Sequence, residues 1–179
     1  MKSVNRFFQL FINARLATLL CCSLLVSCGG SVTTAGIGGT GITSGEITGF
    51  GSIFVNGVEF NTDNSQFEVD GEIFATQSEA IQAGLAAGMV ARIHGSTDAS
   101  GTSGTATSIV YDDEIEGPVV NLTDFGDGRK SFEIFGQTVI IDQTSTVFKD
   151  FLDPLAMNDI VEVSGFHAPN NEIFATFVE

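Results

Sequence analysis

The sequence contains no tryptophan, one tyrosine and only three cysteines and three prolines among its 179 residues. Glycan-binding sites usually use an aromatic platform, so the missing tryptophan argues against such a site. Phenylalanine is the exception among the aromatics, with 16 copies, and 43% of the residues are hydrophobic. This content is sufficient for packed cores, and those cores should be rich in phenylalanine.

Positive charge is also scarce, and it is unevenly distributed. Three of the seven basic residues, Lys2, Arg6 and Arg15, lie at the N-terminus, whereas all 22 acidic residues follow position 28. Residues 29–179 therefore carry four basic against 22 acidic residues, a formal net charge of −18. Because such a body repels phosphate backbones, we expect no nucleic-acid partner.

The N-terminus has the pattern of a targeting segment. Three positive charges precede a short apolar run from Leu16 to Val26, which is too short to span a bilayer as a stable helix. The run ends in LVSCG, residues 25–29, which resembles the lipobox of bacterial lipoproteins. The resemblance implies a signal peptide over 1–27, cleavage before Cys28, and attachment of diacylglycerol and a further acyl chain such as palmitate. The alternatives are an ordinary signal peptide cut elsewhere and an uncleaved anchor.

Several acyl chains would hold the protein stably on a membrane. By resemblance to known lipoproteins, Gly29 in place of aspartate favours the outer membrane of the bacterial envelope. Processing would leave Cys28 as the sole cysteine with its sulfur used, so no disulfide is expected. Residues 28–43 are mostly Gly, Ser, Thr and Ala, which predicts a lipidated cysteine followed by a flexible tether.

The first predicted module covers residues 44–112 and has the element order β-β-β-α-β-β. Its opening stretch GEITGFGSIFVNGVEF predicts a long glycine-kinked strand over Ile47–Val55, an Asn56-Gly57 turn and a second strand from Val58. The later strands are expected over Gln66–Val69, Met89–Gly95 and Thr105–Tyr111. Thr76 and Glu79 form a capping-box pattern at the start of a short helix. This order is typical of the OB-fold, a small five-stranded barrel.

The second predicted module, residues 113–179, repeats this order. VARIHG at 90–95 aligns with IVEVSG at 160–165, and ATSI at 106–109 aligns with ATFV at 175–178. The helix is replaced by a short helical turn over Asp150–Met157, which contains Pro154. The sequence thus predicts an all-β protein of two tandem OB-fold-like five-stranded barrels, each with one short helix.

Several motifs resemble one bacterial protein family. They are the opening GEITGFGSIFVNGVEF, GMV at 88–90, YDDEIEGPV at 111–119 and VEVSGF at 161–166. The family is domain of unknown function 5666, whose members are envelope proteins with tandem OB-like modules, often behind a lipoprotein signal. The resemblance covers nearly all of residues 44–179. It implies no activity and no catalytic residues.

Little in the sequence suggests catalysis or metal chemistry. His94 and His167 do not align between the modules, and neither has a neighbouring ligand at metal spacing in the sequence, so both are expected to be surface residues. No serine lies in a G-x-S-x-G motif. We therefore expect no enzymatic activity, no catalytic residues and no bound cofactor.

An acidic stretch joins the two modules and is the one candidate metal site. Asp112, Asp113, Glu114 and Glu116 offer carboxylate ligands of the kind that calcium prefers. The stretch matches no known calcium-binding loop, so a solvated linker is the favoured interpretation and calcium the alternative.

The expected function is a lipid-anchored, non-enzymatic binding or scaffold role in the cell envelope, with an envelope protein or a glycan as partner. The alternative is a small-ligand, glycan or calcium-binding OB-like module. Phe50, Phe54, Phe60, Phe67 and Phe74 are expected in the core; a contiguous patch of exposed phenylalanine would instead indicate a partner surface. Because each module is small and lacks a disulfide, we expect the two to pack together across residues 112–117.

Overall fold

A computed structural model describes residues 41–150 and 154–179. It confirms an all-β protein made of two tandem modules, with one short helix in the described residues. The first module contains the following elements: β1 (Ile42–Gly49), β2 (Ile53–Val55), β3 (Val58–Asn61), β4 (Gln66–Val69), β5 (Glu72–Phe74), α1 (Gln77–Gln82), β6 (Val90–Thr97) and β7 (Ser103–Tyr111). The second contains β8 (Ile115–Pro118), β9 (Val120–Asp124), β10 (Arg129–Ile134), β11 (Gln137–Asp142), β12 (Val147–Phe148), β13 (Ile160–His167) and β14 (Ile173–Val178).

The first sheet closes into a five-stranded barrel. Its strand order is β3-β2-β1-β6-β7, and a parallel pairing of β3 with β7 completes the ring. β4 also pairs in parallel with β7, further along the same strand, and carries the short strand β5 on its outer edge. Inward side chains alternate with outward ones along the strands, and the inward set fills the barrel with residues such as Ile47, Phe60 and Phe67.

The opening stretch forms two turns rather than one. The Asn56-Gly57 turn is confirmed: both residues have positive φ, 53° and 76°, as a tight hairpin requires. The prediction of one long strand over Ile47–Val55 is wrong, because the chain also reverses at residues 50–52 and β1 pairs with β2. Gly51 has a φ of 116°, so this glycine serves a turn instead of a kink within a strand.

Helix α1 begins where the capping box predicted. The Thr76 hydroxyl accepts a hydrogen bond from the Glu79 backbone N–H, and the Glu79 carboxylate accepts one from the Thr76 N–H. Ala80 is its buried residue and belongs to the barrel core. The helix ends near Gly84, which has a φ of 127°.

The second sheet repeats the plan in a more open form. Its order is β8-β13-β14-β11-β10-β9, with β12 beside β14. β8 and β9 correspond to the two halves of β1: β8 pairs with β13, β9 pairs with β10, and Val119 connects them in the chain. The module is a half-barrel, whereas the first is a closed barrel. The predicted helical turn at Asp150–Met157 includes residues 151–153, which lie outside the described part of the chain.

Two local structural features occur in both modules. β6 and β13 each have a β-bulge, at His94/Gly95 and at Ser164/Gly165. In each module the first residue of the hairpin turn lies over a glycine of the first strand, Asn56 over Gly45 and Phe135 over Gly117. The repeat that the sequence alignment predicted is therefore present in the backbone itself.

The two modules pack against each other, as predicted. Phe177 belongs to the second module's last strand, yet its fully buried side chain is part of the first module's core. The Tyr111 hydroxyl donates to the Glu162 carboxylate at 2.7 Å, and the Val90 N–H donates to the Ser164 hydroxyl at 2.8 Å. Within residues 41–150 and 154–179, no helix has the length and hydropathy to cross a bilayer.

Candidate interaction surface

Two phenylalanines lie side by side on the outer face of the second sheet. Phe166 of β13 is paired directly with Phe174 of β14, and the two side chains are 43% and 49% exposed. Phe174 is in register with Ile140 of β11, and Ile140 with Ser131 of β10. Because directly opposed residues of neighbouring strands share one face of a sheet, these side chains form a continuous line, which we call the aromatic row (Phe166, Phe174, Ile140).

The first module has polar residues at the same three positions. The shared bulge places Phe166 of β13 at the position of Ser96 in β6. The pairings made by the last strand of each module, β14 and β7, place Phe174 at the position of Thr105 and Ile140 at the position of Asn61. Ser96, Thr105 and Asn61 are all exposed. The scaffold therefore accepts polar residues on this face, and folding does not require the aromatic row.

Two carboxylates border the aromatic row on one side. Glu133 lies opposite Thr138, two residues along β10 from Ser131, and Glu172 lies two residues before Phe174. Continuing the β11–β14 register places Glu172 beside Thr138, so the two carboxylates are separated by two strand spacings, about 10 Å. Glu133 accepts a hydrogen bond from Asn121.

All four basic residues of the described chain are already paired with other carboxylates. Arg92 contacts Asp112 and Arg129 contacts Asp127, each at 2.7 Å; Lys130 contacts Asp124 at 3.1 Å and Lys149 contacts Glu179 at 2.7 Å. Within that part of the protein, neither Glu133 nor Glu172 has a cationic partner. The border of the aromatic row therefore carries unmatched negative charge.

The predicted metal ligands do not converge. Asp112 binds Arg92, Glu114 lies 2.9 Å from Nε2 of His167, and Glu116 pairs across the sheet with Glu162. Among residues 41–150 and 154–179, no three His, Cys, Asp or Glu side chains are arranged to hold a metal ion. Calcium binding at Asp112, Asp113, Glu114 and Glu116 thus remains a prediction without structural support. Cys28, the predicted lipidation site, lies outside the described residues.

His167 differs from its sequence interpretation in one respect. It has a carboxylate neighbour, Glu114, which is 53 residues away in the chain. Spacing along the sequence could not reveal this pair, because the pairing of β8 with β13 brings it together. His94, the other histidine, is half-buried on β6.

Acidic residues also surround Glu162 at the module junction. Loss of solvent contact raises the pKa of Glu162, and the negative charges of Asp70, Asp113 and Glu179 raise it further, against the lowering effect of the Tyr111 hydrogen bond. Partial burial likewise raises the pKa of Asp70, with Asp113, Asp112 and Glu116 adding to the shift. The ionised form of Glu162 is therefore unfavourable in the folded protein.

Replacing Glu162 with glutamine should raise the melting temperature at pH 7 and leave it unchanged near pH 3.5. The pKa of Glu162 in the folded protein lies above its ordinary value of 4.5. The contribution of Glu162 to folding stability is therefore complete below pH 4.5 and is lost as the pH rises through the pKa of the folded state. Glutamine removes the charge but still accepts the Tyr111 hydrogen bond.

Melting curves of both proteins across this pH range measure the effect, with Glu59→Gln on the exposed face of β3 as the control. The melting temperature of the variant is compared with that of the parent at each pH. This comparison is needed because four other carboxyl groups have lowered pKa values, so their contribution to stability is lost as the pH falls. They are Asp98, Asp124, Asp127 and Asp142. Equal destabilisation by Glu162→Gln at both pH values would contradict this account.

One shallow groove lies between β5 and α1 in the first module. It is lined by Ile73, Phe74, Glu79 and Gln82. The Glu79 carboxylate already accepts the N–H groups of Ala75 and Thr76 at the start of the helix. Its one ionised lining group is therefore committed to helix capping, and the aromatic row is the stronger candidate site.

The architecture defines a class of protein, a tandem pair of small OB-like β modules whose outer faces differ in chemistry. A family model, Domain of unknown function (DUF5666), matches residues 41–110 and again residues 116–179. The chain belongs to this family, with two copies of its domain. No curated protein and no solved structure matches the chain.

Proposed function

We propose that this chain is a lipid-anchored, non-enzymatic binding or scaffold protein of the bacterial cell envelope. The signal-like N-terminus and the LVSC sequence ending at Cys28 support the anchor, and Gly29 in place of aspartate supports an outer-membrane location. A tether over residues 28–43 would separate the modules from the lipid surface by roughly 20 Å.

The aromatic row is the observation that carries the binding role. Exposed aromatic side chains that form one contiguous line are typical of partner surfaces, and single exposed apolar residues are not. One of its three strands, β11, is equivalent to a strand that OB-folds use for recognition. The polar equivalents Ser96 and Thr105 indicate that this apolar character is specific to the second module.

Site-specific cross-linking in intact cells tests this role. A photoreactive phenylalanine derivative replaces Phe174 in one protein and Thr105, its equivalent in the first module, in a control protein. We expect a discrete cross-linked species from position 174 and none from position 105. Equal labelling at both positions, or none at either, would contradict a binding role for the aromatic row.

The chemical nature of the cross-linked species separates the possible partners. A protein adduct supports the scaffold role, whereas a carbohydrate adduct identifies the protein as a glycan-binding module.

Cell fractionation with wild-type protein and a Cys28→Ser variant tests the anchor. We expect the variant to lose its membrane association.

A further inference from the structure

The aromatic row and its acidic border together define the chemistry of a partner. This inference rests on the proposed binding function and names the class of molecule that the site recognises. Apolar surface on the exposed Phe166 and Phe174 and on the half-buried Ile140 favours aliphatic or aromatic groups. The adjacent carboxylates of Glu133 and Glu172 favour positive charge within a few ångströms of those groups.

We propose that the aromatic row binds a polypeptide segment in which lysine or arginine side chains lie beside apolar ones. The outer face of a sheet offers a line about three strands wide, roughly 10–15 Å, which three or four residues of an extended peptide would span. Apolar side chains of that segment contact the two phenylalanines. Its cations pair with Glu133 and Glu172.

Charge complementarity selects this partner over the alternatives. The body of the protein carries a formal charge of −18, and its four cations are already paired, so it attracts cationic partners over a distance and repels acidic ones. Two copies of this chain would repel each other, because each body carries a formal charge of −18. A neutral glycan would leave the two carboxylates without a countercharge.

The contrast between the modules allows a variant that removes the row without disturbing the fold. Ile140→Asn, Phe166→Ser and Phe174→Thr install the residues that the first module carries at Asn61, Ser96 and Thr105. We expect this triple variant to melt within a few degrees of the parent. A large drop in melting temperature would exclude it as a test, and Phe174→Thr alone then replaces it.

Fluorescence anisotropy with a defined probe measures the binding. The full chain is reconstituted in phosphatidylcholine nanodiscs, whose lipids carry no net charge, and titrated against a labelled peptide in which pairs of leucine residues alternate with pairs of lysine residues, so that each face of the extended peptide carries both types. Matched peptides replace every leucine with serine or every lysine with glutamate. Empty nanodiscs give the background.

We expect the leucine–lysine peptide to bind and both matched peptides to bind at least tenfold more weakly. The triple variant should lose at least tenfold in affinity. Glu133→Gln with Glu172→Gln should lose about threefold or more and should show a weaker dependence on salt. The control pair Glu59→Gln and Glu72→Gln, exposed carboxylates of the first module, should change affinity by less than twofold.

Two outcomes would overturn the proposal. They are an unchanged affinity in the triple variant and an equal loss in the control pair. Cross-linking at position 174 to a neutral or acidic partner would refute this inference while leaving the binding function intact; absence of cross-linking there would refute the function itself.

Discussion

Phe177→Ala should destabilise the first module, although Phe177 belongs to the second. The side chain is fully buried and packs in the core formed by residues such as Ile47, Phe60 and Ile109. Truncating a buried phenylalanine to alanine costs about 3–5 kcal/mol, since both burial and packing are lost. That cost is a large fraction of the total stability of a small domain, about 5–15 kcal/mol.

Phe174→Ala on the same strand is the matched control, because Phe174 is 49% exposed and contributes less to packing. We expect it to cost less than about 1 kcal/mol. Chemical denaturation measures both changes, and hydrogen exchange locates them. In the Phe177→Ala protein, amides of β1, β6 and β7 should exchange faster; unchanged protection in these first-module strands would refute a shared core.

Gly165→Ala should prevent stable folding, and Gly95→Ala should do the same in the other module. A Cβ atom at Gly165 would collide with the Phe174 carbonyl oxygen and lie 2.9 Å from the Ala175 Cα. A Cβ at Gly95 would meet the equivalent Thr105 carbonyl and the Ala106 Cα at 2.9 Å. These are backbone atoms at a bulge and cannot move aside as a flexible side chain can.

We expect each substitution to cost at least about 3 kcal/mol, at the upper end of the effects of overpacking. Gly49→Ala is the control, because its Cβ would lie 3.5 Å from the nearest atom, a carbon of Phe54, which is an ordinary contact. Circular dichroism and melting curves of the three variants decide the matter. A Gly165→Ala protein that melts within a few degrees of the Gly49→Ala protein would contradict the view that the bulge leaves no room for a Cβ atom.

Local signals in the sequence predicted the local structure well. Asn56-Gly57 predicted its hairpin turn and Thr76 with Glu79 predicted the start of α1, because the conformation and hydrogen bonds of each involve only neighbouring residues. The aligned VARIHG and IVEVSG segments predicted the duplicated sheet plan. The turn at residues 50–52 was missed because its glycines were equally compatible with a bent strand.

The candidate surface was harder to predict, because it depends on which strands become neighbours. Phe166 and Phe174 meet only through the pairing of β13 with β14, and Ile140 joins them through a parallel pairing with a strand more than 30 residues away. A comparison of the aligned modules held one usable signal, since Phe166 replaces Ser96 and Phe174 replaces Thr105. The contact of His167 with Glu114 likewise required the fold.

The burial of Phe177 in the neighbouring module has a consequence for how such chains can be rearranged. Ser108, the equivalent residue of β7, is half-buried and small, so the first module's last strand offers no comparable anchor to a module placed before it. A first module moved alone into another protein would keep an unfilled cavity where Phe177 had been. Genetic shuffling or protein engineering should therefore transfer the two modules as a pair, with the junction intact.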